Sequence, residues 1–178
     1  RLTQPIRLLP FDLSETREML STRRLSFTPR DTIELYMALG GVPHYLDHVQ
    51  RGQSVAQTID RLFLDKDGAL ANELERLFAS LFDDDERYTS VVRALARKRC
   101  GLTRNELLEE LGLPSRGGVT TILENLEQGG FITTSIPFGR SARDRFLRLT
   151  DELSLFHAKW LSGARPTSWQ RARGSARW

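Results

Sequence analysis

Cysteine is nearly absent. Cys100 stands alone, so no internal disulfide can form, which suits a reducing cytoplasm. Lysine is scarce too, at 3 against 23 arginines, a bias that carries no recognition meaning by itself. No apolar run approaches the roughly 20 residues a membrane helix requires. The first residues, with Ile6, Leu8, Leu9 and Phe11, have no signal-peptide layout. There is no G-x-x-x-x-G-K-S/T motif, so a phosphate-cradling loop is missing. No serine elbow, paired-carboxylate or Cys/His nucleophile arrangement is found either, which leaves no catalytic signature. What is present is ordinary globular composition: 178 residues, 39% hydrophobic and 28% charged, enough for a real core.

The start at Arg1 rather than Met leads to the expectation of a piece cut from a longer protein. The arginine-rich stretch 163–178, with Trp169 and Trp178 and no acid, supports it. Net charge is 26 − 23 = +3. Residues 1–82 hold 10 basic and 11 acidic side chains, and residues 83–178 hold 16 and 12. The second half therefore carries +4, a modest hint that it meets a polyanion.

Residues 1–82 read as short helices with clear punctuation. Asp12 or Ser14 caps a helix to about Leu20. Thr28-Pro29 starts another with Ile33, Tyr36 and Met37 as its stripe, and Gly40-Gly41 stops it. Pro43 opens a helix ending near Gly52. Ser54 caps one with Val55, Ile59, Leu62 and Phe63 inward. A last one spans about Leu70 to Phe82. Residues 83–162 change character. A helix over Tyr88–Lys98, with Asp85 as its cap, is followed by the capping box Thr103-Arg104-Asn105-Glu106 and a helix over 104–111. Ser115 caps a third helix with Val119, Ile122, Leu123 and Leu126 on one face, closed by Gly129-Gly130. Strands over 131–136 and 145–149 then flank the turn Phe138-Gly139-Arg140-Ser141, and Thr150 caps a final helix. This is a winged helix-turn-helix order. The expected class is mainly α with a small β-hairpin.

On the third helix, Ser115, Arg116, Thr120, Thr121, Glu124 and Asn125 lie off the apolar stripe. In a helix-turn-helix this helix enters the major groove of double-stranded DNA, where Arg116 suits guanine and the hydroxyls suit phosphate or base. The hairpin adds Arg140, Arg143, Arg145 and Arg148, of which Arg140 and Arg143 lie near its turn. Residues 87–148 hold 11 cations and 6 acids. Glu109, Glu110, Glu124 and Glu127 weigh the other way, since they repel phosphate.

Three motifs imitate chemistry. Leu81-Phe82-Asp83-Asp84-Asp85-Glu86 follows the apolar-then-acidic Walker B pattern, which has no use without a phosphate loop. His44 and His48 stand at i and i+4 but lack a third ligand in the sequence around them, and a zinc site needs three or four. No metal site is expected. Cys100, beside Arg97, Lys98 and Arg99, has no nearby base in sequence and reads as incidental.

The segment Leu39-Gly40-Gly41-Val42-Pro43-His44-Tyr45-Leu46 resembles the lid segment of the prokaryotic archaeal-type ATPases, a branch of the AAA+/STAND P-loop proteins. Pro10-Phe11-Asp12-Leu13-Ser14-Glu15, Leu77 to Phe82 with Glu86-Arg87-Tyr88, Gly101 to Glu106, and Pro137-Phe138-Gly139 agree with it. The resemblance covers roughly residues 5–160. It implies a helical lid-like subdomain over 1–82, a winged helix-turn-helix domain over 83–162 and a basic tail or linker over 163–178. It further implies a preceding ATP- and Mg-binding ATPase core and a following nuclease-like domain, neither within this sequence. By the same resemblance, Gly40, Gly41 and Pro43 face the adenine side of the nucleotide in such a parent. The chain itself is then expected to be non-enzymatic, to need no cofactor, to lie in the cytoplasm away from membranes, and to bind DNA under nucleotide control, with oligomers open. The alternatives are a winged helix used for protein interaction or mechanics, and a free-standing transcription regulator.

Overall fold

The computed structural model describes residues 8–114, 118–141 and 144–161. The architecture is mainly helical, with a small three-stranded antiparallel sheet. Helix α1 (Leu13–Thr22) starts at Asp12, whose carboxylate accepts from the Ser14 and Glu15 amides while Glu15 accepts from the Asp12 amide. The same reciprocal box starts α2 (Pro29–Leu39) through Thr28 and Asp31, and α4 (Val55–Ile59) through Ser54 and Gln57. Each box satisfies amides that a helix start leaves without partners.

The apolar face expected of α2 is corrected. Thr32, Leu35, Ala38 and Leu39 are buried, whereas Ile33 is 47% and Met37 61% exposed. Leu35 and Leu39 define a rival stripe one step round the helix, and that stripe takes the core. Helix α3 (Pro43–Leu46) is also shorter than expected. Arg23 donates to the Leu46 and Asp47 carbonyls at 2.6 and 2.8 Å, and Arg61 donates to the His48 carbonyl at 2.6 Å. These guanidinium groups satisfy the carbonyls that a longer helix would have used, so the chain turns there. Helix α4 runs on as a π-helical turn over Asp60–Leu64 and buries Val55, Ile59, Leu62 and Phe63.

Helix α5 (Glu73–Leu81) begins later than Leu70, and α6 (Asp85–Ala96) starts at Asp84 rather than Asp85. Strand β1 (Leu102–Thr103), too short to show in the sequence, precedes α7 (Arg104–Leu111), whose Thr103–Glu106 box is as expected. Helix α8 (Val119–Gln128) has Gly118, not Ser115, at its N-cap. It closes in a Schellman turn, the Phe131 amide donating to the Leu126 carbonyl at 2.9 Å. Strands β2 (Ile132–Ser135) and β3 (Phe146–Leu149) pair with Ile132 opposite Leu149 and Ser135 opposite Phe146. Strand β1 adds on the other side of β3, giving the order β1-β3-β2. From α6 to β3 the order is helix, short strand, helix, helix and the β2–β3 hairpin, and that hairpin stands where the sequence led to the expectation of a wing, the name used for it below. Helix α9 (Glu152–Phe156), extended by a π-helical turn over His157–Leu161, is capped by Asp151 instead of Thr150. The Thr150 amide is taken by the Phe131 carbonyl at 2.9 Å.

Two hydrophobic cores result, and the chain crosses between them. The first gathers Leu20, Leu35, Leu39, Leu46, Leu62 and Phe63, with Leu153 and Phe156 of α9. The second gathers Val91, Val92, Leu95, Leu107, Ile122, Leu126 and Leu147, with Leu74 and Phe78 of α5. Phe156 meets Phe63 at 4.9 Å between ring centroids, and Phe78 meets Phe131 at 5.1 Å. Packing thus runs across the sequence boundary at 82/83. Among the described residues no helix is long and apolar enough to cross a membrane.

Candidate functional site

Helix α8 and the strands of the wing share one hydrophobic core. Val119, Ile122, Leu123 and Leu126 anchor α8 in the core, which turns Thr120, Thr121, Glu124 and Glu127 outward. Asn125 is not available for base reading. It donates to the Tyr88 hydroxyl at 2.6 Å, and Tyr88 is itself buried, stacked on Phe82 at 3.7 Å between centroids. Breaking that bond would strand a polar group at the α6–α8 seam. Ser115, Arg116 and Arg143 lie outside the described residues.

The wing turn is built on a hydrogen bond from the Arg140 amide to the Pro137 carbonyl, 3.0 Å long, and on Gly139 at φ 75°. A positive φ at the third residue defines a type II turn and favours glycine there. Arg140, Arg145 and Arg148 are exposed along the hairpin. Its described acid, Asp144, accepts from the Ser141 amide at 3.1 Å and hydroxyl at 3.0 Å. The bond from the Ser141 amide holds the Asp144 carboxyl below its usual range. That carboxylate shapes the loop and, staying ionised, also tempers the positive charge of Arg140.

Two groups near this surface were not singled out for binding from sequence. Phe138, at the second position of the turn, is fully exposed, and Ile136 beside it is 52% exposed. Arg87, paired with Asp84 at 3.4 Å, brings its guanidinium alongside Gly118 at the start of α8. The signal for Phe138 lay in its setting, an aromatic between proline and glycine in a turn, where a core role is hard to satisfy. Arg87 carried no signal, because its neighbour at Gly118 is 31 residues away in sequence.

The glycine-proline segment has a role inside the fold. The Phe11 amide donates to the Gly41 carbonyl at 2.7 Å, and a Cβ on Gly41 would stand 1.8 Å from the Phe11 carbonyl oxygen. Only glycine admits that approach. Gly40 (φ 63°) lies against Glu152, whose carboxyl burial pushes above the usual range. Tyr45 donates to Glu73 Oε1 at 3.1 Å and ties α3 to α5, and burial raises its hydroxyl pKa further. Pro43 alone of the three expected residues lines an open groove of about 450 Å³, with Phe11, Glu15, Glu18, Met19 and Thr22. Phe11, Met19 and Pro43 make its apolar part, and Glu15 and Glu18 give it a negative sign that opposes phosphates.

The imitating motifs fall apart in space. Leu81 and Phe82 sit at the α5–α6 junction, not at the end of a strand, and Leu81 is exposed. His44 and His48 meet edge to face at 5.3 Å between centroids. Among the described residues no three His, Cys, Asp or Glu side chains cluster as metal ligands would. Cys100 is exposed in the turn after α6.

Compared with family models, with curated proteins and with solved structures, the chain matches none.

Proposed function

We propose that the chain is a non-enzymatic binding module whose winged helix-turn-helix contacts double-stranded DNA. The observation that carries this reading is the wing: Arg140, Arg145 and Arg148 are exposed on one hairpin against a single described acid, Asp144. Phosphate contacts by arginine supply sequence-independent affinity. The hydroxyls of Thr120 and Thr121 on the outer face of α8 suit phosphate or base edges. Arg116 and Arg143 extend the basic set by sequence.

The resemblance to archaeal-type ATPases extends the proposal. Residues 1–82 would act as the helical lid of an ATPase whose core, with its ATP and Mg, lies on another part of a longer cytoplasmic protein. Nucleotide contacts would bias the lid, and the winged unit would move with it. Pro43, on the open groove, is the member of the expected trio best placed to meet a nucleotide base. A second reading, docking of a partner protein, draws on Glu124 and Glu127, which give the described outer face of α8 a negative sign.

Fluorescence anisotropy of a labelled random-sequence duplex, titrated at several salt concentrations, tests the primary reading. The expected result is micromolar binding that weakens steeply with salt and weakens again in Arg116→Ala and in Arg140→Ala/Arg143→Ala. Flat anisotropy at low salt and high protein removes DNA and leaves the protein-docking reading.

A further inference from the structure

Phe138 has no work to do in the fold. A buried phenylalanine contributes about 1.5–3 kcal/mol relative to an exposed one, and this ring buries nothing. The turn that holds it needs only Gly139 at its third position. Pro137 on one side stiffens the approach, and the hydrogen bond from Arg140 to Pro137 closes the tip. The ring is thus held out on a hydrogen-bonded turn in the loop between β2 and β3. Ile136 beside it is half exposed, and Arg140 follows two residues on.

An apolar tip of this kind seeks a partner with a flat hydrophobic face. The charge around it narrows the choice. Residues 132–149 carry Arg140, Arg143, Arg145 and Arg148 against Asp144 alone. An aromatic ring in one turn with Arg140, on a segment rich in arginine by sequence, matches the way proteins hold unpaired bases: the ring stacks on a base while the cations follow the backbone. In a fully paired duplex the ring reaches a base face only by unstacking a step, which costs free energy, so it is best used where stacking is already interrupted.

We propose that the wing tip recognises a junction between duplex and single strand, with Phe138 stacking on the first unpaired base and Arg140 on the adjoining phosphate. This rests on the DNA-binding reading above and specifies which DNA. Helix α8 would engage the duplex arm while the tip reads its open end.

The test compares a forked duplex with a fully paired one of the same length and sequence, by anisotropy at fixed salt. A 2-aminopurine replaces the first unpaired base and reports stacking through its fluorescence. The wild-type chain is expected to bind the fork at least about fivefold more tightly and to quench the probe. Phe138→Ala should lose the preference and the quenching while keeping affinity for the paired duplex, and Phe138→Trp should restore both. Phe138 supports no core, so the variants are expected to fold, which circular dichroism checks. Equal affinity for both DNAs in the wild type, or a preference that survives Phe138→Ala, overturns the junction proposal and leaves duplex binding standing. No binding to either DNA overturns both and assigns the exposed tip to a protein contact.

Discussion

His157 is the side chain with the least comfortable position. It is buried, its Nε2 lies 3.4 Å from Glu75 Oε1 on α5, and its Nδ1 has no hydrogen-bond partner among the described residues. Burial lowers its pKa, the Glu75 carboxylate opposes that shift, and Arg93 on α6 reinforces it. The native state therefore binds a proton less readily than the unfolded chain, whose histidine titrates at about 6.5. Stability is full above that value and declines as pH falls below it, toward the depressed native pKa. Urea unfolding at pH 7.5 and at pH 5.5 is expected to show a larger loss for the wild type than for His157→Gln. Equal losses would mean that the imidazole stays in contact with water.

At the scale of elements, helix starts are governed by chemistry within three residues. Thr103 illustrates it. Its hydroxyl accepts from the Glu106 amide while Glu106 accepts from the Thr103 amide at 2.7 Å. Thr103→Ala is expected to cost about 1 kcal/mol, read as a lower melting temperature by circular dichroism. The bond from the Thr103 amide depresses the Glu106 pKa, so this stabilisation is present above the unfolded carboxylate pKa and fades as pH falls through the native one.

This locality explains what the sequence disclosed. Asp12, Thr28, Ser54 and Thr103 were legible as caps because donor, acceptor and spacing are all written side by side. The faces of helices were less legible. Ile33 and Met37 compete with Leu35 and Leu39 for the core, and the packing of α1, α4 and α9 against α2 decides between them. The ends of α3 depended on Arg23 and Arg61, which sit far away in sequence. Asn125 looked available for base reading because its partner, Tyr88, is 37 positions distant. The wing turn was legible from Phe138-Gly139, but the outward placement of Phe138 was not.

For the whole molecule, the exchange of α5 and α9 between cores matters most. Residues 1–82 alone would lack Leu153 and Phe156, and residues 83–178 alone would lack Leu74 and Phe78. Removing one buried phenylalanine costs about 3–5 kcal/mol, a large part of a domain's stability. A chain split between 82 and 83 is therefore expected to give two poorly folded pieces that recover native circular dichroism when mixed. The intact chain should unfold in a single transition by circular dichroism and by tryptophan fluorescence. Two separate transitions would show that the cores are independent.

That exchange also bears on ancestry. Units that fold by themselves can be swapped between genes at their linkers, and the resulting hybrids keep working. Here a crossover between 82 and 83 would replace half of each core at once, so the two parts must be inherited together and mutate in step. Change in α5 constrains the winged unit, and change in α9 constrains the helices before it. The wing turn, which neither core needs, escapes that constraint and answers only to what it contacts.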